Sequence, residues 1–409
     1  MSEKQKAVII GCGIAGPAVA LFLRRAGIDA EIYEAQPAPD DYAGIFLTVA
    51  ANGMRVLKTL GLYEQVVAAG FPTNRLVMWS HRGKQLGEVP ISLPATDGTV
   101  SLTIKRGVLQ RILREAVLAQ DIPINFGKRL ASVTSDETAA GGRPILVHFA
   151  DGTTATGDFI LGCDGLHSPL RQILDAAAPP PTYTGLLSGG GYAYMPTLAT
   201  TTDTMHMTFG KQAFFGYLVK PDGEVYWFEN HSMAGTPNRA TIAATSQAAW
   251  RNKLLDLHKD DQPLINQIIR NTQGAIGMYP IYDILRLPRW YNEAIMLIGD
   301  AAHATSPNSG QGAALALEDA AVVAQCLRDA PTPLAAFATY EQLRRARTEK
   351  IVKYSRQMGS NKALSSPAAR WFRDLTMPFF LKLLANSQSL HWLYHYKVDW
   401  EQKVEAVRA

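Results

Sequence analysis

The chain has 409 residues, 47% hydrophobic and 19% charged, with 33 Gly and 23 Pro, which excludes disordered, collagen-like and low-complexity proteins and leaves room for two or three domains. There are 40 Lys and Arg against 36 Asp and Glu, a net charge of +4 with no long basic run, which argues against a dedicated nucleic-acid binder; the short Arg344-Arg345-Ala346-Arg347 cluster reads as a solvated helix face. Cys12, Cys163 and Cys326 match neither a zinc spacing nor a disulfide framework, so the expectation is small buried hydrophobes, no metal, and a reducing, cytoplasmic setting.

Ala7 to Leu23 carries no charge and has the look of a signal peptide or a short membrane span. Gly11, Gly13, Gly16 and Pro17 interrupt it, so a strand (Ala7–Ile10), a glycine turn and a helix (Pro17–Arg25) explain it better. Gly27 ends the helix, and Ala30 to Tyr33 is a second strand, which completes an opening strand–helix–strand unit. No other segment reaches the ~18 uninterrupted apolar residues of a spanning helix, so no membrane span is expected. Helices are predicted over Gly53–Leu60 and Gly107–Leu118, and strands over Ile145–Phe149 and Asp158–Gly162. From about Pro179 to Gly274, and in Asn74 to Ser101, strand and turn signals dominate, which predicts a second, sheet-based domain inserted into the first. Ala294–Ile298 reads as a buried strand and Gly312–Leu327 as a long helix. Leu375 to Trp400, rich in Phe, Leu and Trp, reads as a helix packed over the core rather than a membrane-surface or partner helix.

Gly11-Cys12-Gly13-Ile14-Ala15-Gly16 is a GxGxxG turn between a predicted strand and helix, the context that gives the motif meaning. Its glycines allow a tight turn and close approach to a pyrophosphate, which then faces the helix N-terminus. Glu34 closes the second strand eighteen residues after Gly16, where a carboxylate accepts hydrogen bonds from an adenosine ribose. An acid there disfavours NADP, and the turn alone does not separate NAD from FAD. Gly299-Asp300-Ala301-Ala302-His303 follows another strand and leads through Pro307, Gly310, Gln311 and Gly312 into the long helix. Asp300 suits the hydroxyls of a ribityl chain or ribose, and the glycine-rich helix start suits negative charge such as that of a reduced flavin.

The stretch from Met296 through Asp300, His303, Pro307 and Gly310-Gln311-Gly312 to Glu318-Asp319-Ala320 resembles the GD motif of the class A FAD-dependent monooxygenases. That family includes para-hydroxybenzoate and salicylate hydroxylases and tetracycline-inactivating monooxygenases. Cys163-Asp164-Gly165-Leu166-His167-Ser168-Pro169-Leu170-Arg171 resembles its DG motif, associated with FAD and nicotinamide nucleotide use. Arg106, followed by Leu109 and Leu113, is similar to the arginine that reaches the ribityl and phosphate region. The motifs stand in the family's order from Lys6 to Arg347.

The resemblance implies an α/β fold, with a Rossmann-like FAD-binding domain (1–73, 102–178 and 275–355), an inserted β-sheet substrate domain (74–101 and 179–274) and C-terminal helices (356–409). Carried over, Gly11, Gly13, Ala15, Gly16 and Glu34 would hold the adenosine diphosphate half of FAD. Arg106 and Asp300 would hold its middle, Asp164 would belong to the same site, and Pro307, Gly310, Gln311 and Gly312 would line the isoalloxazine. Leu130 is the candidate adenine contact. Leu47 falls in a stretch, Gly44 to Thr48, where family members place flavin-facing backbone; the acidic residue that some tetracycline-inactivating relatives carry near it is absent, which counts against tetracycline as substrate.

The implied cycle begins with reduction of FAD by NADH or NADPH. Oxygen then forms a C4a-hydroperoxide, and one oxygen atom passes to an aromatic or polycyclic apolar small molecule. No second glycine fingerprint marks a nicotinamide site, so the choice between NADH and NADPH stays open. His303 and His167 read as structural parts of their motifs, while His206 and His231 are undecided. Met205, Met207, Phe209, Phe215, Tyr217 and Trp227 lie on apolar strands of the inserted sheet, and Met207, Phe215, Tyr217 and Trp227 are the candidate substrate pocket. The alternative function is a reductase or oxidase of the same fold that does not oxygenate; a flavin-binding protein without turnover is the rival of another class.

Overall fold

The computed structural model describes residues 4–41, 44–91, 97–135, 144–360, 366–385 and 390–407. Its first sheet is five-stranded and parallel, ordered Ile295–Leu297, Phe159–Gly162, Lys6–Ile10, Asp29–Glu34, Ile124–Phe126. Lys6–Ile10 is a near-continuous apolar run because it is covered on both faces, as parallel sheets require. The helix Ala15–Arg25 covers it on one side and buries nine consecutive residues, Ala15 to Leu23. That helix begins two residues earlier than predicted. The apolar core of this half extends through the long helix Gly312–Asp329 to Tyr340 and Trp400.

The second sheet has seven strands, ordered Thr272–Asp283, Thr182–Tyr194, Glu224–Ser232, Ala213–Val219, Thr204–Phe209, Arg75–Ser80, Gln85–Pro90. All its pairings are antiparallel except Thr204–Phe209 with Arg75–Ser80. Residues from both predicted insert segments therefore share one sheet. Its edge strand Thr272–Asp283 runs across the boundary expected at 274/275, because the antiparallel partner Thr182–Tyr194 is long enough to pair with it as far as Asp283. The helices Gln247–Leu257 and Pro263–Arg270 cover one face of this sheet with Trp250, Leu254, Ile265, Ile268 and Ile269.

Two expectations about the C-terminal third need correction. Arg344 is not on a solvated face: it is fully buried and pairs with Glu318 at 2.8 Å and Asp319 at 2.7 Å, while Arg347 pairs with Glu318 at 2.8 Å. Arginine spacing alone gives no sign of the acids on a neighbouring helix that draw it inward. Of the stretch Leu375 to Trp400, Leu390, Leu393, Tyr394 and Trp400 are buried as expected, but the helix Pro367–Ala385 is not buried over the core. It packs Leu381 and Met377 against Leu86 and Val89 of the outer sheet strand, and leaves Trp371, Phe372, Leu375, Phe379 and Phe380 between 57% and 70% exposed.

Candidate active site

The site grows from the ends of the parallel strands. After Ile10 the chain turns at Gly11, whose φ is +104° and whose N–H donates to the Tyr33 carbonyl at 2.8 Å. A Cβ on Gly11 would collide with the Cys163 carbonyl, and one on Gly16 with the Gly11 carbonyl. At Gly13 the nearest atom to such a Cβ is Gln110 Nε2 at 3.9 Å, so that side is open. Two glycines thus allow close packing, and the third leaves room for a ligand. No side chain caps the helix Ala15–Arg25, so its first N–H groups stay free for an anion. Ala15 lies 3.6 Å from where a Gly299 Cβ would stand, and this small residue lets the fingerprint turn approach the GD turn. Glu34 Oε2 accepts from Cys12 N at 2.7 Å and Oε1 from Gln36 N at 2.9 Å, which fixes the carboxylate at the turn. Burial, aided by Glu34, pushes the Cys12 thiol up to about 12, so it stays a neutral thiol.

The DG and GD motifs meet the same place. Cys163 N donates to the Ile10 carbonyl at 2.8 Å and Ile298 N to the Gly162 carbonyl at 2.9 Å. Asp164 Oδ2 accepts from Leu170 N at 3.1 Å, whereas Oδ1 is buried without a partner; burial raises this carboxyl. Arg171, a residue the sequence reading left without a role, is buried and donates to the Ala301 carbonyl at 2.9 Å and the Leu166 carbonyl at 2.8 Å. It clamps the DG turn onto the GD turn.

Asp300 and Arg106 both reach solvent, and neither side chain has a hydrogen bond or ion pair with a described residue. Protein mass around Asp300 raises its carboxyl while His303 and Arg106 pull the other way, so the Arg106 cation lies within electrostatic reach of the Asp300 carboxylate. Arg106 is set there by its backbone N–H, which donates to Ile45 at 3.0 Å. His303 has no open face: it is buried and bonded to Asp319 at 2.7 Å, which also accepts from Gly299 N at 3.1 Å and Arg344 Nε at 2.7 Å. Burial alone would raise Asp319, but His303 and Arg344 hold it down to about 2. This buried network therefore holds the GD turn from behind.

The remaining predicted positions divide. Pro307 is exposed in the short turn Pro307–Ser309, Gly310 follows in a left-handed conformation at φ +64°, and Gly312 opens a helix with no side-chain cap. The Gln311 side chain turns inward instead. It is fully buried, its Oε1 accepts from Asn52 Nδ2 at 2.9 Å, and its Nε2 has no partner. Leu130 is buried opposite Phe149, which stacks on Tyr33 at 4.8 Å, and Lys128 N donates to the Glu34 carbonyl at 2.8 Å; Leu130 therefore sits beside the end of the second strand. Leu47 is half-buried opposite Ile104 and packs on the main core.

Strand alternation divides the candidate pocket residues between the two faces of the sheet. Phe215 and Trp227 stack at 5.6 Å in the cluster under the covering helices, and Tyr217 packs with them. His206 stacks on Tyr217 at 5.1 Å, and His231 pairs with buried Glu229 at 3.0 Å. All follow the same strand phase, away from the first sheet. Met207 is on the other face, with Met205, Phe209, Phe214, Tyr226 and Phe228. That face meets Phe46, 5.4 Å from Tyr226 and 6.1 Å from Phe228, and shares a cluster with Ala314 and Leu315 at the start of the GD helix. Apolar residues occur at both phases of these strands, so sequence did not distinguish the faces.

Parallel-strand ends that gather a glycine turn, a ribose-type acid and Asp300, with Arg106 within electrostatic reach and two uncapped helix starts, define a dinucleotide-binding oxidoreductase. The residues fit FAD: the open side of Gly13, the partnerless Asp164 Oδ1, and Arg106 and Asp300 side chains that bond to none of the described residues are features a bound flavin nucleotide satisfies. The model of the FAD binding domain family matches residues 4–355, and the chain belongs to that family. It is an FAD-dependent monooxygenase of the hydroxylase type. Aurachin C monooxygenase/isomerase from Stigmatella aurantiaca is 31% identical over 373 residues, covering 90% of this chain and 93% of the relative. 6-Hydroxynicotinate 3-monooxygenase from Pseudomonas fluorescens is 28% identical, covering 87% and 91%. Among solved structures, HpxO of Klebsiella pneumoniae with FAD and uric acid superimposes with a TM-score of 0.81 at 24% identity, covering 94% of this chain and 97% of that one.

Proposed function

We propose that the chain oxygenates a flat, largely apolar aromatic small molecule, bound between the isoalloxazine and the Met207–Phe214–Phe228 face of the seven-stranded sheet. One observation carries this reading: that face shares an apolar cluster with Ala314 and Leu315, beside the helix start expected to meet the isoalloxazine. The relatives whose names include aurachin C, 6-hydroxynicotinate and urate act on aromatic rings, which supports the same class. Asn230 follows the strand phase of Phe228 and has a buried, partnerless Oδ1, a polar group able to orient a ring substituent.

FAD, once bound, accepts hydride from a nicotinamide nucleotide and activates O2. The protein binds and shapes. Gly11, Gly13, Gly16 and Glu34 hold the adenosine end, and Arg106 and Asp300 hold the ribityl and phosphate region. Asp164 and the turn Pro307–Gly312 bound the ring, the latter through backbone because Gln311 is turned inward. The uncapped start of Gly312–Asp329 favours negative charge on the ring edge. Phe46, Tyr226 and Phe228 exclude water, which protects the activated oxygen from unproductive loss.

The test is turnover of an aromatic panel with NADH and NADPH under isotopically labelled O2. One labelled oxygen atom in a product supports the proposal. Substrate-independent NAD(P)H loss that yields only peroxide contradicts it and favours the oxidase reading.

A further inference from the structure

The helix Pro367–Ala385 carries its apolar side chains outward. Around its axis, Trp371, Phe372, Leu375, Phe379 and Phe380 follow one another at spacings of one, three and four, which puts them on one continuous arc. Each is more than half exposed. The opposite arc is already used: Leu381 and Met377 pack on Leu86 and Val89, and Arg373 is buried, paired with Asp374 at 2.8 Å and placed over the Phe209 ring. An outward patch of five large apolar side chains exceeds what isolated soluble chains ordinarily leave in water.

Its charges indicate the occupant. Asp374 is the single acid between Pro367 and Ala385, and it is held by Arg373 on the inner side. Arg370, Arg373 and Lys382 make the helix net positive, and Lys382 is exposed on the same side as Trp371 and Leu375. The arc thus holds aromatic and aliphatic side chains and a lysine but no carboxylate. A helix of 19 residues is about 28 Å long. It packs on the outer strand Gln85–Pro90 through Leu381 and Met377, and its exposed arc is turned away from that contact. Ring-rich, carboxylate-free and carrying Lys382, such a face matches the headgroup–acyl boundary of an anionic bilayer. No helix among the described residues is long and apolar enough to cross a membrane, so the contact is lateral.

We propose that Pro367–Ala385 seats the enzyme on anionic lipid surfaces, with Trp371, Phe372, Leu375, Phe379 and Phe380 embedded and Lys382 at the headgroups. This proposal does not depend on the substrate reading.

The test is flotation of the FAD-loaded, full-length protein with vesicles of phosphatidylcholine alone or of equal parts phosphatidylcholine and phosphatidylglycerol. The wild type is expected to float with the mixed vesicles and less with the neutral ones. Trp371→Asp with Phe379→Asp should abolish flotation, and Lys382→Glu should weaken binding to the mixed vesicles by about fivefold. Flavin absorbance and far-ultraviolet circular dichroism confirm that the variants fold, as the exposure of these residues leads one to expect. Failure of the wild type to float with either vesicle overturns the proposal, and so does equal flotation of the double variant. A wild-type dimer in light scattering that Trp371→Asp with Phe379→Asp converts to monomer also overturns it, because the face is then an interface between copies.

Discussion

The flavin-binding half and the seven-stranded sheet are built on opposite logics. In the first, function is carried by backbone: turns forced by Gly11, Gly16 and Gly299, two uncapped helix starts, and a buried ionic network behind the GD turn. In the second, it is carried by side-chain phase: Phe214 and Phe215, or Trp227 and Phe228, are neighbours in sequence that serve opposite faces. Backbone constraints leave few residue choices, whereas a two-faced apolar strand accepts aromatics at every position.

Breaking the backbone logic should have the largest effect. Gly11→Val places a side chain against the Cys163 carbonyl at a φ of +104°, and no flavin-bound protein should be recovered. A yellow, folded Gly11→Val protein in an absorbance spectrum would refute the close-packing role. Next comes the network behind the turn. Arg344→Met leaves Glu318 and Asp319 buried with fewer partners and should cost about 3–5 kcal/mol in denaturant unfolding. A loss below ~1 kcal/mol would mean that the buried charges neutralise without it.

Alanines at adjacent positions separate the two faces of the sheet. Trp227→Ala should cost about 3–5 kcal/mol of stability, because the ring is fully buried beneath the covering helices, and leave KM almost unchanged. Phe228→Ala should raise KM by on the order of tenfold at a smaller cost in stability. Reversed results would mean that the substrate meets the other face. The smallest effect is in pH. Asp319 titrates in the folded state at about 2, below its unfolded value near 3.9. Its contribution to stability is therefore complete above about pH 5 and is lost as pH falls through the folded value. Urea midpoints between pH 2 and 7 should show this acid-side loss, diminished in Asp319→Asn.

The same contrast explains what was legible in the sequence. The glycine turn, Glu34, Asp164, Arg106 and Asp300 were readable because strand, turn and helix signals flank them in order; Gly11, Glu34, Asp164 and Asp300 stand at or just after the ends of four parallel strands, whereas Arg106 follows Leu102–Lys105, which pairs with Phe46–Val49 in a separate three-stranded sheet. The clamp of Arg171 on Ala301 was not, since the carbonyl it reaches lies 130 residues further along the chain. Nor was the inward turn of Gln311, which Asn52 on a distant helix draws in. The Arg344 cluster and the helix Pro367–Ala385 misled in opposite directions: charges went in and aromatics came out, because burial depends on the partner that each helix meets.

We propose that Arg106 and Asp300 both contact bound FAD. Titration of apoprotein with FAD, followed by flavin fluorescence, tests it without knowledge of the substrate. Arg106→Ala and Asp300→Ala should each weaken binding by on the order of tenfold while the apoproteins unfold at wild-type denaturant concentrations. Wild-type affinity in both variants would contradict the placement of the flavin at these motifs.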